Sequence, residues 1–133
     1  TEIESIGDSC YNLARTINRK RTGGNDFTEK QYEHIHQMMQ LTDEALAHMI
    51  AVVEDEHHAV DVNKSFNLEN EINNYRAQLK NQNVVDVNNK EYDYQMGVHY
   101  MDLIAECEKL GDYVVNVVEA RTNVKEKKTN ENR

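Results

Sequence analysis

Two short stretches carry the same chemistry near opposite ends of a 133-residue chain. One reads Glu4-x-x-Gly7-Asp8-x-x-x-Asn12, the other Glu108-x-x-Gly111-Asp112-x-x-x-Asn116. At about 100° per residue, the two carboxylates and the amide of each copy share one ridge of a helix. Like charges four residues apart repel on an isolated helix. A glycine in the same turn costs roughly 1 kcal/mol relative to alanine. Both costs make sense if the ridge faces something. A hard cation gathers several oxygens, and a neighbouring helix can come close over a missing side chain. The plain alternative is a solvated acidic face whose spacing recurs by chance. The apolar seams lie roughly 140–180° from the carboxylates, so these acids belong on the outer face or in a groove beside another helix.

Other candidates for chemistry are weaker. Glu33-x-x-His36 and Glu54-x-x-His57 have the acid–histidine spacing of di-iron bundles, but those sites draw on two helices. Here both pairs fall on or near one helix, 21 residues apart. His57-His58 reads as a solvated turn, and His34, His48 and His99 have no partner that spacing identifies. Gly23-Gly24 lacks the strand before it and the Lys-Ser/Thr after it that a phosphate loop needs. No Ser–His–Asp or Cys–His arrangement follows from spacing, so nothing here reads as an enzyme.

Apolar rhythm sets the elements that would carry these ridges. The chain has no proline and 5 glycines, so helix breakers are scarce. Helix one is expected over residues 1–21, with Ile3, Ile6, Cys10, Leu13 and Ile17 as its seam. Thr22-Gly23-Gly24-Asn25 closes it, within a linker over 22–27. Since the rhythm is running by Ile3, the chain reads as a piece of a longer protein. Thr28-Glu29-Lys30-Gln31 is a capping box opening helix two, and Phe27 and Tyr32 are placed as its hydrophobic staple. The second seam is Ile35, Met38, Thr42, Ala45, Met49 and Val52, followed by a turn before Asn63. Helix three carries Phe66, Leu68, Ile72, Tyr75 and Leu79 and frays near Asn81, leaving 84–89 as loop or extended chain. Helix four is expected from about Asn89 through Tyr92, Met96, Leu103, Cys107, Leu110, Val114 and Val117. The polar tail over 123–133 is expected to be disordered. Together these predict an all-α fold, an antiparallel bundle of four helices.

Composition narrows the partners. With 15 basic and 24 acidic residues the formal charge is -9, which argues against nucleic acid and anionic membrane surfaces. No apolar run approaches the roughly 18 residues of a membrane span, so direct membrane insertion is not expected. Cys10 and Cys107 both fall on apolar stripes and read as buried free thiols in a reducing, cytoplasmic setting. Met38, Met39, Met49 and Met96 read as core filler, and the tyrosines as seam-edge residues with wet hydroxyls.

The acidic pattern, once per three-helix repeat, resembles the PhoU family of phosphate-regulation proteins. The likeness is strongest to the PhoU-like cytoplasmic C-terminal domain of bacterial sodium/phosphate cotransporters. "LENEINNYRAQLK" at 68–80 followed by "LIAECEKLGDYVVNVVEA" at 103–120 has the order of a second repeat, and "IESIGDSCYNLAR" at 3–15 resembles the last helix of a first. The resemblance implies that residues 1–21 end a truncated repeat and that 28–122 form one complete three-helix repeat. It implies a regulatory domain on the cytoplasmic side of the inner membrane, not an enzyme. Its partners would be the transmembrane part of the parent transporter or other regulatory proteins. Some relatives hold metal clusters on paired acidic motifs. Carried over, Glu108 and Asp112 match one motif, and its partner falls on Glu69 and Asn73, where asparagine replaces the usual aspartate. Glu4 and Asp8 match the first repeat's motif, and Asn12 and Asn116 are the motif amides. Iron, manganese, zinc or magnesium would be the candidate ions. A lone helix one with an apolar seam also suggests a homodimer through residues 1–21.

Overall fold

The computed structural model describes residues 2–22 and 26–123, so the expected helix closure at residues 23–25 and the tail from residue 124 lie outside the described residues. Four helices follow one another: α1 (Glu2–Thr22), α2 (Glu29–Glu54), α3 (Asn63–Asn88) and α4 (Tyr94–Thr122). They pack as an antiparallel bundle. α2, α3 and α4 each pack against the other two, whereas the close backbone contacts of α1 are with α4 alone. α4 is therefore the hub. Its buried face is wider than the seam foreseen for it and adds Gly97, Tyr100, Ile104, Gly111, Val115 and Val118.

α2 begins where the sequence places it. The Thr28 N–H donates to Gln31 Oε1 at 3.0 Å, and the Gln31 N–H donates to Thr28 Oγ1 at 3.1 Å. Phe27 meets Tyr32 edge to face at 5.6 Å between ring centroids. The six seam residues foreseen for α2 are all buried. Its C-terminal end is held by α4: Arg121 Nη2 donates to the Asp55 carbonyl at 3.1 Å and Nε to the Val53 carbonyl at 3.3 Å. A cation there complements the negative end of the helix dipole.

α3 and α4 depart from expectation at their junction. α3 does not fray near Asn81 but continues through the 84–89 stretch to Asn88. Lys90 then takes the left-handed conformation at φ 61°. The Glu91 N–H donates to the Asp86 carbonyl and the Lys90 N–H to the Val87 carbonyl, the paired bonds of a Schellman ending with lysine in the place glycine usually takes. α4 accordingly begins at Tyr94 rather than Asn89, capped by Asp93 Oδ1, which accepts from the Met96 N–H at 2.7 Å.

α1 seats Ile6, Ser9, Leu13 and Ile17 toward α4, with Ser9 and Leu13 buried. This stripe is rotated from the expected seam, and Cys10 is exposed rather than buried. The cause is geometric. A helix packed on one neighbour covers a narrow strip, and Cys10 falls at its edge. Met39 is likewise 37 % exposed, because it faces the gap between α2 and α1 rather than the core. Cys107, on the hub helix, is buried.

Candidate functional site

The second acidic ridge lies in the groove between α3 and α4. Gly111 allows the close approach: a Cβ there would stand 3.3 Å from Ile72 Cδ1, and Ile72 is fully buried. Beside that contact, Glu69, Asn73 and Arg76 occur at i, i+4 and i+7 on α3, one helical face. Glu108 answers from α4. Its Oε1 lies 3.6 Å from Arg76 Nε, with the two side chains 28 % and 33 % exposed. Asn73 Nδ2 donates to Glu69 Oε1 at 3.4 Å. Asp112 and Asn116 are exposed on the outer side of the ridge. The structure thus pairs Glu69 with Asn73 along α3 and Glu108 with Arg76 across the groove, and leaves Asp112 exposed beside Gly111.

The first copy behaves differently. Glu4 and Asp8 are both exposed. A Cβ on Gly7 would meet nothing within 4 Å, so the close approach expected over this glycine does not occur. Asn12 Oδ1 accepts from Arg15 Nη2 at 3.4 Å on the same helix. Identical letters therefore serve two settings: a packed groove on α4 and an open face on α1.

The residue that sequence reasoning missed is Arg76. Extending the Glu69–Asn73 ridge by one turn would have found it. It bears on the metal cluster that the family resemblance implies, because the residues present do not fit one. A guanidinium stands 3.6 Å from Glu108 Oε1 and would compete with an ion for it. Asn73 offers a neutral amide and turns its nitrogen toward Glu69. Among the described residues, no group of three His, Cys, Asp or Glu side chains gathers to hold a metal ion. Glu108 draws a counter-charge from within the protein, at Arg76.

Two histidines also gain partners that spacing did not identify. His34 Nδ1 lies 2.9 Å from the Tyr100 hydroxyl, and His48 Nδ1 lies 2.6 Å from Ser65 Oγ. Burial, followed by a nearby lysine, lowers both imidazole pKa values. Tyr100 is only 2 % exposed, contrary to the seam-edge expectation. Its hydroxyl is satisfied by His34, as a buried phenol requires.

Fold and motif together define the class of protein as a four-helix bundle whose acidic motif occurs once on α1 and once on α4. The PhoU domain model matches residues 35–120, more than half of the chain, and the chain belongs to that family of non-enzymatic regulators of phosphate uptake. No curated protein and no solved structure matches it. Among the described residues, no helix is long and apolar enough to cross a membrane.

Proposed function

We propose that this chain is the regulatory domain of a sodium-dependent phosphate cotransporter, on the cytoplasmic side of the membrane. It would act through helix contacts with the transmembrane part of that transporter or with another regulatory protein. The observation that carries the reading is the family match over α2, α3 and α4 together with the second copy of the acidic motif on α1. On this reading α1 ends one repeat, and residues 28–122 form the next. Glu4, Asp8 and Asp112 are exposed, and the net charge is -9. Cytoplasmic loops of membrane proteins are enriched in lysine and arginine, so an acidic ridge complements them and steers the encounter. α1 is also the proposed surface for a homodimer; a strict monomer by light scattering at high concentration refutes that part.

The test is sodium-driven phosphate uptake in vesicles holding the parent transporter. The domain is intact, deleted, or carries Glu4→Gln, Asp8→Asn and Asp112→Asn together. Deletion is expected to change the uptake rate or its response to internal phosphate, and the neutralised variant to behave like the deletion. Equal uptake in all three overturns the proposal. The alternative is a ligand-free protein–protein module. The Arg76–Glu108 pair favours it, since it gives Glu108 a counter-charge without an added cation. It predicts unchanged uptake alongside retained binding to a different protein partner.

A further inference from the structure

At one end of the bundle, the first turns of α2, the last turns of α3 and the start of α4 enclose a cavity of about 190 Å³. The regulatory reading makes no use of it. Gln31 reaches into its lining from α2 and is 2 % exposed. The capping box fixes which way its amide points. Oε1 is committed to the Thr28 N–H at 3.0 Å, so Nε2 must face the other way. That nitrogen is buried without a hydrogen-bond partner. The Tyr92 hydroxyl, which donates to Asn83 Oδ1 at 2.7 Å, has lone pairs free to accept and lies near enough for the Gln31 amide to lower its pKa, but the two groups do not meet in hydrogen-bond geometry. A buried amide N–H without a partner costs roughly 1–3 kcal/mol, so this end of the cavity calls for an acceptor.

Two carboxylates, Asp86 and Glu91, also line the cavity, against one amine, Lys30. Burial raises the pKa of the Tyr92 hydroxyl, and the Asp86 carboxylate adds to the effect. The same carboxylate acts on Tyr100 and His34. Because His34 is held below its ordinary 6.5, it adds no positive charge at neutral pH. An anion is repelled here. The net charge of the lining favours a cation, and Tyr92 in the same lining offers an aromatic ring that ammonium can use.

We propose that this cavity binds a small organic amine that carries a carbonyl group next to its ammonium. Gln31 Nε2 donates to the carbonyl oxygen, Asp86 takes the ammonium, and the Tyr92 ring flanks it. Glycinamide is the simplest probe. Glycolamide keeps the carbonyl and replaces the ammonium with a hydroxyl, and inorganic phosphate is the anionic control. The readout is the Gln31 side-chain amide in a nitrogen–proton correlation spectrum of the full chain. Glycinamide is expected to shift it saturably, with glycolamide binding at least about tenfold more weakly and phosphate not at all. Asp86→Asn is expected to weaken glycinamide about tenfold while leaving the melting curve in place. Three results overturn the proposal: no saturable shift with glycinamide, equal binding of glycolamide, or unchanged affinity in Asp86→Asn. The first would leave a water-filled pocket whose solvent satisfies Gln31; the other two would show that the cavity does not read the ammonium through Asp86.

Discussion

Gly7, Gly97 and Gly111 all lie inside helices but meet three different surroundings, so alanine at each separates helix propensity from packing. At Gly7 a new Cβ meets nothing within 4 Å. Gly7→Ala keeps the whole propensity gain of about 0.8–1 kcal/mol. At Gly111 the Cβ would lie 3.3 Å from Ile72 Cδ1 and 3.8 Å from its Cγ2. Ile72 is fully buried, and overpacking a filled core costs about 1–3 kcal/mol. The propensity gain is offset, and the net change falls between about zero and 2 kcal/mol destabilising. At Gly97 the Cβ would be 2.9 Å from Asn83 Oδ1 and 3.0 Å from Val87 Cγ2. Asn83 must move, and with it the bond it accepts from Tyr92 at 2.7 Å. Losing that bond costs about 1 kcal/mol on top of overpacking, so Gly97→Ala destabilises by about 1–3 kcal/mol. Urea denaturation, with amide exchange to report on α1, should rank the proteins Gly7→Ala, wild type, Gly111→Ala, Gly97→Ala from most to least stable. If Gly111→Ala stabilises as much as Gly7→Ala, α3 and α4 are not in van der Waals contact there. The packed-groove account of the second acidic motif then fails.

Native maleimide labelling should modify Cys10, which is exposed, and spare Cys107, which is buried and whose thiol burial pushes up to about 11; a second label without denaturant contradicts the packing. His48 favours its neutral form on folding, because burial and then Lys64 lower its pKa from 6.5. Its contribution is complete above about pH 6.5 and is lost as pH falls through the lower folded value. His48→Gln should flatten that acid limb in urea melts taken across pH, and an unchanged limb would show that other groups set it. Asp93→Ala removes the acceptor 2.7 Å from the Met96 N–H and should cost about 0.5–2 kcal/mol, read as a lower urea midpoint; no loss would mean that solvent caps α4 equally well.

The helical periodicity of α2 was legible because its cap and its seam agree. Thr28 and Gln31 fix the start, and six apolar or small residues fix the face. The α3–α4 junction was not legible because its stop signal is a lysine. No glycine marks the turn, and the asparagines from Asn81 onward suggested a loop where solvent and side-chain bonds, such as Gln82 Nε2 to Asp86 Oδ1 at 2.9 Å, support a helix. Cys10 was misread because periodicity assigns a face but not how closely each neighbour packs: the close backbone contacts of α1 are with α4, and Cys10 lines the looser groove toward α2. The acidic ridges were legible as ridges. That Glu108 would face a guanidinium was not, since spacing along α4 carries no information about which residue of α3 lies opposite.

The packing pattern can also be read as a graph. α2, α3 and α4 form a closed triangle, and α1 hangs from one corner by a single edge. Removing that edge breaks no other. Local opening of α1 is then expected to be the lowest-energy departure from the native state, with the triangle still intact. Its amides should exchange ahead of those buried in α4. Such an opening would uncover a strip of the hub helix around Leu110, which shares a groove with Cys10 and Leu13. The helix that displays Glu4 and Asp8 to solvent is thus also a cover on α4, and freeing the one exposes the other.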